Sequence, residues 1–159
     1  MSKSTRPDLT EPLDPVLDFM RLLWAIEHRL ERTSKRMAIR VGVTGPQRLV
    51  LRIVDRFPGI SAGELAHIVE LHPSTLTGIL RRLQQKGLLV REVDARDSRR
   101  ALFRIRDRAR RLTTTAAGTV EAAVRHVLRV LPGARVDHAR AVLAALASAL
   151  DAQTRRSAV

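Results

Sequence analysis

Hydrophobic positions recur first at helical and later at alternating spacings, and that change of period organises the chain. From Pro15, the residues Val16, Met20, Leu23, Trp24 and Leu30 form one stripe, which predicts a long helix reaching toward Ile39. Its length exceeds what a small core needs, as expected of a helix that continues into a partner. A second helix carries Val50, Ile53, Val54 and Phe57 inward and stops at Pro58-Gly59. It opens at Thr44-Gly45-Pro46-Gln47, which offers an N-cap hydroxyl, a Pro in the first turn and a Gln three residues on. Ser61-Ala62-Gly63-Glu64 repeats that capping box ahead of Leu65, Ala66, Ile68 and Val69, a helix of about two turns. His72-Pro73-Ser74-Thr75 opens a fourth helix, with Leu76, Ile79, Leu80 and Leu83 inward and Gly87 as its C-cap. Two capped helices joined by a few residues make a helix-turn-helix candidate.

Beyond Gly87 the helical period is lost. Leu88 to Val93 is rich in Leu and Val, while Ala101, Phe103 and Ile105 alternate with Leu102 and Arg104. Two strands around the polar stretch Asp94 to Arg100 form a hairpin with a charged tip. Ile105, Ala109, Leu112, Ala116, Val120, Val124, Val127 and Leu131 then return to a spacing of three or four, which predicts one long helix with an exposed basic start, broken at Pro132-Gly133. A last helix carries Val142, Leu143, Leu146 and Leu150 on one face. The fold class expected is mainly α with a small β-hairpin. The many alanines let helices approach closely, which suits an intertwined dimer interface and would equally suit a plain bundle core.

Charge narrows the partner. The chain has 159 residues, 45% of them hydrophobic, and 29 Lys plus Arg against 16 Asp plus Glu, a formal charge of +13 dominated by Arg. Arginine pairs in bidentate fashion with phosphate and with guanine edges, so a polyanion is the expected partner. A surface-bound membrane protein would more often show a basic amphipathic helix with aromatic anchors. The aromatic residues are only Phe19, Trp24, Phe57 and Phe103, too few to stack the bases of a single strand. Duplex DNA fits better. With no cysteine, disulfides, thiolate metal sites and thiol redox sensing are excluded. Residues 1 to 15 are polar and lack a signal-peptide stretch, and the longest apolar run, 141 to 150, is about half a membrane span. A soluble cytoplasmic protein without membrane contact is the expectation.

In a helix-turn-helix the start of the second helix enters the major groove. The inward set at 76, 79, 80 and 83 leaves Ser74, Thr75, Thr77, Gly78 and Arg81 on the opposite face as DNA-binding candidates. For Ser74 the competing reading is a capping hydroxyl, and for Arg81 and Arg82 a solvated face. The hairpin tip Asp94-Ala95-Arg96-Asp97-Ser98-Arg99-Arg100 projects directly after that helix, where Arg96, Arg99 and Arg100 could reach along a minor groove. Asp97 is expected to orient Arg96 or Arg99. From Arg81 to Leu112 twelve basic side chains stand against four acidic ones, so the excess charge and the motif coincide.

These segments together resemble the MarR family. The resemblance lies in Ser61-Ala62-Gly63-Glu64-Leu65-Ala66, in Ser74-Thr75-Leu76-Thr77, in Leu83 to Arg91 with Lys86-Gly87-Leu88-Leu89, and in Asp94 to Arg99. It covers about residues 44 to 112, and the order and spacing of its parts make it specific. It implies a winged helix-turn-helix homodimer joined through its first and last helices, bound to a pseudo-palindromic operator on double-stranded DNA. Members commonly repress transcription, and many release DNA when a small, often phenolic or anionic, ligand binds. The corresponding layout here is a flexible arm over 1–13 and a single domain over 14–159. Its DNA-binding lobe spans about 44–105, with dimerisation helices at about 15–40 and 106–152. The sequence departs from the family pattern at Gly78, where a basic or amide side chain is usual. It departs again at Ile105-Arg106-Asp107-Arg108-Ala109, which lacks the usual Thr cap and Gly, so how that helix begins stays open.

Other chemistry is thinly supported. Glu31 follows His28, and Glu64 and Glu70 flank His67, each at a spacing of three, with no third metal ligand. His72, His126 and His138 add no cluster, and no phosphate loop or cofactor motif is present, so no enzyme is expected. Trp24, His28 and Arg48 could line a cleft for a small aromatic or anionic effector. The competing reading puts Trp24 in a dimer core and His28 at its edge. The functional alternatives to a site-specific regulator are a non-specific architectural DNA-binding protein and a winged helix used for protein contacts alone.

Overall fold

The computed structural model describes residues 12–114 and 117–156. Of the expected arm over residues 1–13, only Pro12 and Leu13 fall among them. Helix α1, Pro15–Val41, starts where the Asp14 carboxylate accepts the amides of Val16 and Leu17 at 2.9 and 3.2 Å. It ends at Gly42, whose φ of 82° is one that glycine adopts without strain. Helix α2, Gly45–Arg56, carries the expected capping box between Thr44 and Gln47, and helix α3, Ala62–Val69, the one between Ser61 and Glu64. Helix α4, Pro73–Gln85, follows a turn in which Glu70 takes the left-handed conformation, φ 51°, without being glycine.

Strands β2, Leu89–Val93, and β3, Ala101–Ile105, form the expected hairpin, with Arg91 opposite Phe103 and Val93 opposite Ala101. A third strand, β1, Ile60–Ser61, pairs antiparallel with the other edge of β3 to give the order β1-β3-β2. Two residues are too few to show an alternating pattern. The core joins Val50, Leu51 and Val54 of α2, Leu65 of α3, Leu76, Ile79, Leu80 and Leu83 of α4, and Leu88, Leu89 and Phe103 of the hairpin. Phe57, expected inside, is instead exposed, with the Arg56 guanidinium 5.3 Å from its ring centroid.

The single long helix expected after Ile105 is corrected by the structure, which places two there: α5, Asp107–Thr113, and α6, Val120–Val130. Apolar spacing runs on across the gap, yet the backbone stops at Thr113-Thr114, where β-branched side chains cost helical freedom. Gly118 is left-handed at φ 72°, and the Thr119 hydroxyl accepts the Ala122 amide at 3.2 Å, starting a new helix. Helix α7, Gly133–Arg156, begins at the expected break. The chain forms two compact units that divide after Thr114. The first contains α1 to α5 and the sheet, and the second contains α6 and α7.

Neither α6 nor α7 buries any residue, and α1 buries Met37 alone. Their exposed apolar side chains include Val16, Met20, Trp24 and Leu30 on α1, Val127 and Leu128 on α6, and Leu143 and Leu150 on α7.

Candidate nucleic-acid interface

Helix α4 is held by its apolar side, which leaves Ser74, Thr75, Thr77, Arg81 and Arg82 exposed on the other. Gly78 is half-buried among them, and a Cβ built there would meet nothing within 4 Å, so packing does not demand glycine. The N-cap is His72, whose Nδ1 accepts the Ser74 amide at 3.3 Å, while the Ser74 hydroxyl lies 2.7 Å from the same nitrogen. Ser74 therefore serves the cap through His72. The signal for this was Pro73, since a Pro at the first helical position marks the residue before it as the cap. The Thr77 hydroxyl donates to the Pro73 carbonyl at 2.8 Å, which leaves its oxygen free to accept. Thr75 carries no such bond among the described residues.

The far end of α4 is gripped by cations. Arg108 of α5 donates through Nε to the Gly87 carbonyl at 2.8 Å and through Nη2 to the Lys86 carbonyl. Lys86 Nζ in turn donates to the Gly42 carbonyl at the end of α1. Positive groups at helix C-termini satisfy orphan carbonyls and oppose the helix dipole. This also answers how the segment after Ile105 begins. Arg106 occupies the N-cap without a side-chain bond, its amide donates to the Leu88 carbonyl at 3.0 Å, and Asp107 supplies the first-turn negative charge. Ala109 is fully buried.

At the hairpin tip the carboxylates act on the backbone. Asp94 Oδ1 accepts the Arg96 amide at 2.9 Å and Asp97 Oδ1 accepts the Arg99 amide at 3.0 Å. Asp97 thus shapes the turn at Arg99, where the sequence led us to expect a bond to a guanidinium. The tip closes through Asp94 amide to Arg100 carbonyl and Arg100 amide to Asp97 carbonyl, both 2.9 Å. Among the described residues the guanidinia of Arg96 and Arg99 bond to nothing. Arg100 differs: its Nη2 lies 2.6 Å from Glu64 Oε1. Glu64 Oε2 also accepts the Ser61 hydroxyl at 2.6 Å and the Ser61 amide at 2.8 Å. These bonds, the Ser61 hydroxyl foremost, then the Ser61 amide and Arg100, lower the Glu64 carboxyl to about 2. The same carboxylate raises Arg100. Sequence reasoning saw Glu64 as a cap and as a neighbour of His67, and missed Arg100 because that partner lies 36 residues away.

The three residues expected around an effector differ in exposure. Trp24 and His28 are exposed and one turn apart on α1. Arg48 is 1% exposed, and its Nη1 and Nη2 donate to the carbonyls of Leu112 and Thr114 at the end of α5. That guanidinium closes a helix end and is turned away from solvent, which corrects its expected role as an anion-facing group. Among the described residues no group of three or more His, Asp or Glu is placed to hold a metal, and no helix is long and apolar enough to cross a membrane.

A helix-turn-helix followed by a charged hairpin wing defines the winged-helix class of DNA-binding fold. Residues 41–100 match the model of the MarR family. The HTH-type transcriptional regulator TtmR of Methylorubrum extorquens (strain PA1) is 30% identical over 151 residues, 95% of this chain and 73% of the relative. The HTH-type transcriptional repressor Rv2887 of Mycobacterium tuberculosis (strain ATCC 25618 / H37Rv) is 31% identical over 88 residues, 55% of this chain and 63% of the relative. The chain belongs to the MarR family and is a transcriptional regulator with a DNA-binding fold; its relatives and its fold are not those of enzymes. The fold is shared with the MepR–DNA complex of S. aureus, at TM-score 0.69 and 20% identity over 83% of this chain and 97% of that one. It is shared too with PcaV from Streptomyces coelicolor in complex with its natural ligand, at 0.71 and 22% over 88% and 99%.

Proposed function

We propose that this protein is a homodimeric repressor that binds a pseudo-palindromic operator and is released by a small ligand. Ser74, Thr75, Thr77 and Arg81 enter the major groove beside Gly78, and Arg96 and Arg99 reach the minor groove, with Asp97 shaping the wing and Arg100 at its base. The observation that carries this reading is the tip itself. Both aspartates are spent on backbone amides, so the turn is rigid while Arg96 and Arg99 stay available. The apolar side chains left exposed on α1, α6 and α7 support a second copy as the partner. The name of Rv2887 supports repression, and the exposed Trp24–His28 face of α1 is where an aromatic or anionic effector would bind, while Arg48 holds the end of α5. No membrane contact is part of this reading.

The test is selection of bound fragments from genomic DNA, followed by competition against random duplex. A regulator prefers its site by about a thousandfold or more. Arg96→Ala and Arg99→Ala each weaken site binding by roughly 1 to 3 kcal/mol with the dimer intact. Equal affinity for random DNA would turn the reading toward an architectural protein, which the lack of a side chain at Gly78 would favour.

A further inference from the structure

We propose that Glu64 and Arg100 form a tether that sets the position of the wing, making both of them positioning residues for DNA recognition; this rests on the DNA-binding reading above. The pair joins the first turn of α3 to the base of the tip, Arg100 Nη2 to Glu64 Oε1 at 2.6 Å. An isolated exposed ion pair holds little in place, because two long side chains must be ordered for a screened attraction. This one differs in that one partner is already fixed. Glu64 Oε2 accepts both the amide and the hydroxyl of Ser61, so the carboxylate is ordered before Arg100 reaches it. Ser61 in turn sits in β1, paired with Leu102 of β3. The anchor is therefore built on the sheet edge next to the strand it holds.

Arg100 is also the residue through which the tip closes. Its amide donates to the Asp97 carbonyl and its carbonyl accepts the Asp94 amide, both at 2.9 Å. Arg99 precedes that closure by a single peptide. Holding the Arg100 side chain on α3 thus places the unbonded Arg99 and Arg96 relative to α4, which follows α3. The alternative is that Arg100 itself binds phosphate and leaves Glu64 when DNA arrives. The two cases differ in the sign of one substitution. Glu64→Gln removes a negative charge and keeps an acceptor for the Ser61 amide. If Arg100 is a phosphate ligand held back by Glu64, the variant binds DNA more tightly. If the pair is a tether, the variant binds its site more weakly although the protein has become more positive.

The experiment compares wild type, Glu64→Gln, Arg100→Ala, Arg100→Lys and the double variant Glu64→Gln/Arg100→Ala on a selected site and on random duplex. Expected are a loss of roughly fivefold on the site for each of Glu64→Gln and Arg100→Ala, no further loss in the double variant, and recovery in Arg100→Lys. Random-duplex affinity should not fall in Glu64→Gln. Without DNA, trypsin should cut after Arg96 and Arg99 faster in Glu64→Gln and Arg100→Ala than in wild type. Site binding by Glu64→Gln equal to or tighter than wild type overturns the tether. If wild type prefers no site, the DNA reading fails separately, and equal trypsin rates would then overturn the tether alone.

Discussion

Between Arg81 and Arg111 the chain carries eleven arginines, and their neighbours sort them. Arg100 is held by Glu64, Arg104 by Glu92 at 3.1 Å, Arg108 by the end of α4, and Arg110 by Asp107 and Asp55. The side chains of Arg81, Arg82, Arg91, Arg96, Arg99, Arg106 and Arg111 make no bond among the described residues. Composition alone shows the basic excess but not which cations are spent, since the pairing depends on residues far apart in the chain. Glu64 gives this sorting a measurable signature. Its folded-state value lies below the ordinary carboxylate value, at about 2, through the Ser61 bonds first and Arg100 after them. The ionised group therefore stabilises the fold fully above its unfolded-state value, and that contribution fades as pH falls toward 2. Urea midpoints of wild type and Glu64→Gln should differ by a constant amount from pH 7 to about 5, then converge below it. A gap that widened on acidification would contradict the assigned bonding.

Three helix ends are closed by cations from other elements. Lys86 at the end of α4 closes α1, Arg108 of α5 closes α4, and Arg48 of α2 closes α5. Only Arg48 is buried, and its removal takes away both donors to the Leu112 and Thr114 carbonyls and leaves a cavity beneath α5. Arg48→Ala should cost about 3 kcal/mol, read by urea unfolding, against a small change for an exposed arginine such as Arg111→Ala. A loss below about 1 kcal/mol would show that the clamp adds little. The elements themselves were largely legible in the sequence. Thr44 and Ser61 announced their helices because capping chemistry is local, and the wing showed its period of two. What stayed hidden is what local pattern cannot encode. Strand β1 is too short for a period, and its pairing with β3 joins residues more than forty apart. The break before Val120 was masked because Leu112, Ala116 and Val120 keep helical spacing across it, although the threonine run and Gly118 marked the stop. Arg48 looked like a ligand group because its depth depends on α5 packing over α2.

For the molecule as a whole, the recognition and assembly proposed above draw on different surfaces. The sorted arginines and the exposed face of α4 belong to the first compact unit, whereas the uncovered apolar side chains of α6 and α7 belong to the second. In a dimeric regulator the second unit adds affinity without touching DNA, because once one half-site is bound the other is met at high effective concentration. Leu128 on α6 is 52% exposed, so a polar replacement there need not disturb the folded chain, yet it would place a charge inside the proposed apolar interface. Leu128→Glu should lower the sedimentation mass to that of one chain while leaving the unfolding of the first unit unchanged. Affinity for a two-half-site operator should then fall by roughly a hundredfold, and affinity for a single half-site should hardly move. A variant that remained dimeric, or a monomeric variant that kept full operator affinity, would separate these helices from DNA binding and leave α4 and the wing to account for it alone.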